Sequence, residues 1–300
     1  MSVTRLLGSR SAAVLGACLA TILGFPAATH AAPASDVRSV YVAMGDSFSA
    51  GVGIAPMSSS SAVPGFCLRS EVNYPTLVAR ALAVTEFRDV TCGGATTDHL
   101  GGSQRGLAGD AAAPQYDALT PDTTLVSLGI GGNDIGLVQL AASCINPLPQ
   151  PFGQACAANN TFGGRDLIGE RIDTFAPTYA TVIGEIRRRA PRAQIVLVGY
   201  PTGIRNGGCP GVQPAWADDA NYLQAKIDRL NAVMAEQADR QDAIFVDLAP
   251  STRGHDACAP PAASWMVGVI PTSADALVPL HPNAAGHENT ARQVLAALSN

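Results

Sequence analysis

Lysine is nearly missing from this chain: Lys226 stands alone among 19 basic residues, and the rest are arginine. With abundant alanine, that bias reads as the codon usage of a GC-rich genome and says little about function. Basic patches are missing as well. The one cationic run is Arg187-Arg188-Arg189, with Arg192 close behind, at the predicted end of a helix, where cations suit the macrodipole. A net charge of −5 without a basic stripe excludes nucleic acid as an expected partner. There is no C-x-x-C and no tight His/Cys cluster, so no metal site is expected. Internal repeats, low-complexity linkers and charge blocks are absent too, which argues against a chain divided into several domains.

A long apolar run is the next absence. Residues 1–31 carry Arg5 and Arg10, then SAAVLGACLATILGF, then PAATHA, which is the layout of a signal peptide cleaved after Ala31. The run holds Gly16, Gly24 and Pro26 and falls short of the ~20 apolar residues of a membrane span. No stable membrane insertion is therefore expected. Cys18 follows a lipoprotein-like Leu15-Gly16-Ala17, but the apolar run continues past it, where a lipoprotein would turn polar. Removal of residues 1–31 leaves 24 acidic against 17 basic residues, and six cysteines. An even number of cysteines in an exported chain points to disulfides. Sequential pairing, Cys67–Cys92, Cys144–Cys156 and Cys209–Cys258, is expected because each bridge then closes one loop region.

What is present is alternation. Short β-branched runs read SVYVAM (39–44), FRDVTC (87–92), TLVSLGI (124–130), QIVLVGY (194–200) and AIFVDL (243–248). Several are apolar on both faces, as buried parallel strands are. Helical patterns lie near 73–84, 166–190, 215–240 and 283–298, and 141–165 reads as a loop. The alternation predicts one α/β domain over residues 32–300, a doubly wound three-layer α/β/α fold on a mainly parallel five-stranded sheet.

Ligands of such sheets bind beyond the carboxyl ends of the strands. After the first strand comes Gly45-Asp46-Ser47; after the second, Gly93-Gly94; after the third, GGND with Asn133; before the last helix, LHPNAAGH with His281 and His287. A hydroxyl, a glycine turn, an amide and an imidazole on one edge are the parts of an acyl-transfer site. GIGGNDIG is no dinucleotide loop, since Asp134 holds the third glycine position. The G-x-S-x-G elbow is absent, with Ser49 where its second glycine would be. Asp46 and Asp134 read as acceptors for loop N–H groups, His287 as a packing residue inside the last helix, and His99 and His255 as surface residues.

These four blocks, GDSFSAG, GGATT, GGND and HPNAAGH, in this order over nearly the whole mature chain, resemble the SGNH (GDSL-type) hydrolases, with the nearest likeness to secreted actinomycete esterases, lipases and phospholipases. The resemblance implies a flavodoxin-like fold, three disulfides in support of the sequential pairing, and no cofactor. Ser47 would be the nucleophile and His281 the general base. The N–H groups of Ser47 and Gly94 and the amide of Asn133 would form the oxyanion hole. It implies a secreted, monomeric serine ester hydrolase acting on a small-molecule or lipid ester. Carbohydrate acyl esters, phospholipids and a non-catalytic binding role are the alternatives. The family's Asp three residues before the histidine is Val278 here. Asp275 and the carbonyls of Val278 or Pro279 are the candidates to orient His281, and a carbonyl is expected.

Overall fold

Residues Val40–Gly45 form strand β1, and every one of them is buried. A strand covered on both faces belongs in the middle of a sheet whose helices lie on either side. The computed structural model describes residues 39–59, 63–271 and 278–299 and places β1 in that position. Its parallel neighbours are β2 (Glu86–Asp89) and β3 (Leu125–Gly129), with Gly45 opposite Gly129 in register. β4 (Gln194–Val198) and β5 (Ile244–Val246) continue the sheet in parallel, giving the order β2-β1-β3-β4-β5. The fold class expected from the alternation is the one observed.

Helices α1 (Ser47–Ala50), α2 (Tyr74–Ala81), α3 (Leu137–Ser143), α4 (Leu167–Phe175), α5 (Pro177–Arg189), α6 (Ala217–Arg240) and α7 (Ala284–Ala297) alternate with these strands. The pleat of β1 sends Val42 and Met44 into one core with Ile172, Ile183, Ile186, Leu230 and Met234 from α4, α5 and α6. Tyr41 and Ala43 enter the other, with Tyr74, Val78, Ala291 and Val294 from α2 and α7. Period two in the strand and 3.6 in the helices generate the three layers directly.

Local chemistry explains where expectation and structure part. The pattern at 166–190 is two helices, because Pro177 lacks the N–H to continue α4 and instead opens α5 at its first position. The stretch 141–165 is not all loop: α3 runs into it, a helix spans Cys156–Asn160, and Thr161–Phe162 pairs with Arg165–Asp166. Disulfides join Cys67 to Cys92, Cys144 to Cys156 and Cys209 to Cys258, with Cα separations of 4.2, 4.9 and 5.7 Å. Among the described residues no helix is long and apolar enough to cross a membrane. Residues 1–31, with Cys18, and Asp275 lie outside the described residues.

Candidate active site

At the end of β1 the chain turns too sharply for a side chain. Gly45 has φ +138°, and a Cβ there would lie 2.4 Å from the Gly129 oxygen and 2.5 Å from Ser49 Oγ. Glycine is required by both conformation and contact. The Gly45 peptide is clamped from both sides by buried Gln115, whose Oε1 accepts its N–H at 2.8 Å and whose Nε2 donates to its carbonyl at 3.0 Å. Asp46 then caps α1, its Oδ1 accepting the Phe48 N–H at 2.9 Å. That puts Ser47 on the first turn of α1, 7% exposed.

His281 meets it. His281 Nε2 lies 2.8 Å from Ser47 Oγ, and Nδ1 lies 2.9 Å from the Pro279 carbonyl oxygen. A carbonyl only accepts, so Nδ1 carries the proton and Nε2 is left free to accept the Ser47 hydroxyl proton. Burial pulls the imidazole below its ordinary value, and the Pro279 bond opposes that. The ring is therefore neutral at neutral pH, as a base must be. Its loop is held under constraint: Leu280, a non-glycine residue, adopts φ +64°. Backbone bonds from Leu280 N to Val267 O (2.8 Å) and from Val267 N to His281 O (2.9 Å) keep it there. Farther along, Asn283 caps α7 through the Gly286 N–H at 3.0 Å.

The other two blocks lie alongside. The Cys92 N–H donates to the Gly45 carbonyl at 3.1 Å, so the Gly93-Gly94 turn starts beside the strand that leads to Ser47. Gly94 is exposed, with φ +74°, and an added Cβ would meet only Gln104 Nε2, at 3.7 Å. Backbone conformation, not crowding within the protein, demands glycine there. Asn133 Nδ2 donates to the Ala95 carbonyl at 2.8 Å, which leaves its second N–H for another acceptor. Next to it Asp134 Oδ1 accepts the N–H and hydroxyl of Thr97 at 2.9 and 2.5 Å, so the second and third blocks are tied together.

Three residues without a sequence signal bind this edge into one unit. The Tyr200 hydroxyl, at the end of β4, accepts the Gly132 N–H at 2.7 Å and donates to Asp46 Oδ2 at 2.6 Å. Buried Asn231 holds the Tyr200 backbone at both its N–H and its carbonyl, each at 2.8 Å. Phe48 packs its ring between Tyr200 and His281, with centroids 5.0 and 4.8 Å away. Only the position of Tyr200 at a strand's carboxyl end pointed toward the site.

Burial pushes the Asp46 carboxyl up to about 7, while its bonds from Tyr200 and Phe48 pull the other way. Asp134 is also raised by burial, with the Thr97 bonds opposing. His287 stays clear of Ser47: its Nδ1 accepts the Tyr74 N–H at 3.0 Å, and burial lowers its pKa to about 3. His99 and His255 are not plain surface residues. His99 Nδ1 accepts the Thr96 N–H at 3.0 Å, and His255 stacks on Trp265 with centroids 3.5 Å apart. Both are half-buried because their rings are used locally.

An apolar cleft with a cavity volume of about 70 Å³ lies next to the pair. Phe48, Leu137, Ile204, Ile227, Met266 and Leu280 are among its walls, and among the described residues no charged side chain lines it.

The GDSL-like lipase/acylhydrolase family model matches residues 43–288. Lipase 2 of Streptomyces coelicolor is 34% identical over 284 residues, 92% of each chain. An extracellular lipase from Streptomyces rimosus shares 31% identity and a TM-score of 0.70, covering 86% of this chain and 99% of that one. Phospholipase A1 from Streptomyces albidoflavus shares 28% identity and a TM-score of 0.69, covering 87% and 98%. By sequence over nearly its whole length and by fold, the chain belongs to the GDSL-like lipase/acylhydrolase family and is an ester-hydrolysing enzyme.

Proposed function

We propose that the protein is a secreted serine lipase or esterase whose 32–300 domain cleaves carboxylic esters through an acyl-enzyme on Ser47. The carrying observation is the 2.8 Å contact of Ser47 Oγ with a His281 imidazole whose other nitrogen is engaged by Pro279, beside an apolar cleft. His281 Nε2 takes the hydroxyl proton as Ser47 Oγ bonds to the ester carbon. The oxyanion receives hydrogen bonds from the Ser47 and Gly94 N–H groups and the free Asn133 amide N–H. On collapse the C–O bond breaks and His281 returns the proton to the departing alcohol. Water, deprotonated by the same nitrogen, then bonds the acyl carbon; the bond to Ser47 Oγ breaks, His281 returns the proton to Ser47 and the acid leaves. Throughout, the Pro279 carbonyl holds the Nδ1 proton, so a neutral acceptor does the orienting.

The walls of the cleft favour an acyl chain. A sugar moiety needs polar partners, and Gln213 and Tyr200 are the main side chains there that offer any. Phospholipid acyl esters are a second substrate class, favoured by the likeness to the phospholipase A1 of Streptomyces albidoflavus. Secretion is supported by the layout of residues 1–31 and by three disulfides, which persist in oxidising compartments.

A panel of p-nitrophenyl esters of graded acyl length tests the reading. Longer acyl esters should be cleaved with higher kcat/KM than acetate. Ser47→Ala should abolish turnover with little change in Tm, and a fluorophosphonate should label Ser47 alone. An active Ser47→Ala variant, or labelling at another residue, overturns the assignment.

A further inference from the structure

The stretches 135–164, 206–217 and 257–274 contain no Asp, Glu, Lys, Arg or His, as is also true of 47–68 and 193–204. The fold brings 135–164, 206–217 and 257–271 together around the mouth of the apolar cleft. Val138 and Ile145 from the first, Gln213 from the second and Val269 from the third line it. The stretches are joined by hydrogen bonds. Trp216 Nε1 donates to the Leu148 carbonyl at 2.7 Å, and the Asn146 N–H donates to the Pro214 carbonyl at 2.6 Å. Gln213 bonds both the carbonyl and the N–H of Ile270, each at 3.1 Å. The Cys144–Cys156 bridge closes the first loop at its base.

This rim exposes large apolar side chains. Leu148 is 52% exposed, Phe152 74%, Val212 45% and Ile270 53%. Contiguous exposed apolar surface on a folded protein marks a place of contact. The site beside it takes an acyl ester, on the reading given above, and such esters gather in aggregates. We infer that this rim is a docking face for an uncharged or zwitterionic lipid surface, pressing the cleft mouth against the layer that supplies the ester. Attraction to anionic lipid needs clustered lysines or arginines near the surface. The three stretches have none, so apolar contact alone carries the adsorption.

The test separates docking from chemistry. The Ser47→Ala protein is sedimented with phosphatidylcholine vesicles, and with vesicles containing phosphatidylglycerol, at low and high salt. Equal binding to both, insensitive to salt, is expected. Leu148→Asp with Phe152→Asp, two residues outside the cleft, should weaken that binding more than about tenfold. In the Ser47-containing background this pair should leave turnover of a soluble short-chain ester within about twofold and depress hydrolysis of an emulsified one. Absent binding to phosphatidylcholine, a requirement for anionic lipid, or binding unchanged in the double variant overturns the inference. So does a dimer in sedimentation equilibrium that the double variant dissolves, since the face then covers a second copy. Hydrolysis of the soluble ester by Ser47→Ala itself would remove the nucleophile assignment while the vesicle result still judged the face.

Discussion

Tyr200→Phe removes one hydroxyl and leaves two buried groups unpaired, the Gly132 N–H and Asp46 Oδ2. Each such loss costs roughly 1–3 kcal/mol, so about 2–6 kcal/mol in total is expected when Asp46 is ionised. For a domain of this size that lowers Tm by about 4–24 °C. The loss has a particular pH dependence. Asp46 is raised from 3.8 to about 7 in the folded protein. Its contribution to stability is thus complete below the unfolded value and is lost as pH rises through the folded one. The Tyr200 bond works against that rise, so without it the folded pKa climbs and ionisation costs more. The variant should therefore be destabilised more at about pH 8 than at about pH 5, where Asp46 is protonated with or without the hydroxyl. Activity should fall too, because the same hydroxyl aligns the Ser47 turn with the turn before Asn133. A displacement on the order of 1 Å costs up to about 10²-fold, so kcat should drop by about 10–100-fold with KM nearly unchanged. Thermal melts at the two pH values and steady-state kinetics on a p-nitrophenyl ester are the assays. A Tm loss equal at both pH values, or turnover within about twofold of the parent, would refute the coupling.

Asn133→Ala should lower kcat by about 10²–10³-fold if its free amide N–H meets the oxyanion; a loss below about tenfold would mean that backbone donors suffice. Replacing Cys67 and Cys92 by alanine should destabilise the fold by about 2–4 kcal/mol and reduce turnover, because the bridge anchors the Gly94 turn; urea titration and kinetics report the two effects. His287 is held below its unfolded 6.5 at about 3, so its stabilisation is present above pH 6.5 and lost as pH falls toward 3. His287→Gln should flatten the decline of the urea midpoint across that window, and an unchanged slope would show that another group governs it.

The sequence by itself determined the sheet, the order of its chemistry-bearing turns and the identity of Ser47, Gly94, Asn133 and His281 as candidates. These are local signals: an apolar run followed by Gly-Asp-Ser, Gly-Gly or Gly-Gly-Asn-Asp states its own turn. The break at Pro177 was local too, yet the 3.6-residue periodicity on either side of it masked it. What the tertiary structure decided is everything that depends on partners distant in the chain. Ser47 and His281 are 234 residues apart, and Tyr200 and Asp46 are 154. No nearby pattern marks Gln115 or Asn231 as clamps, because a glutamine or asparagine reads the same whether it bonds water or a buried backbone. The choice of Pro279 over Val278 to hold His281 rests on the left-handed Leu280 and its bonds to Val267. The uncharged stretches were visible as letters, but only the folding of three separate loops onto one cleft mouth makes them a single face.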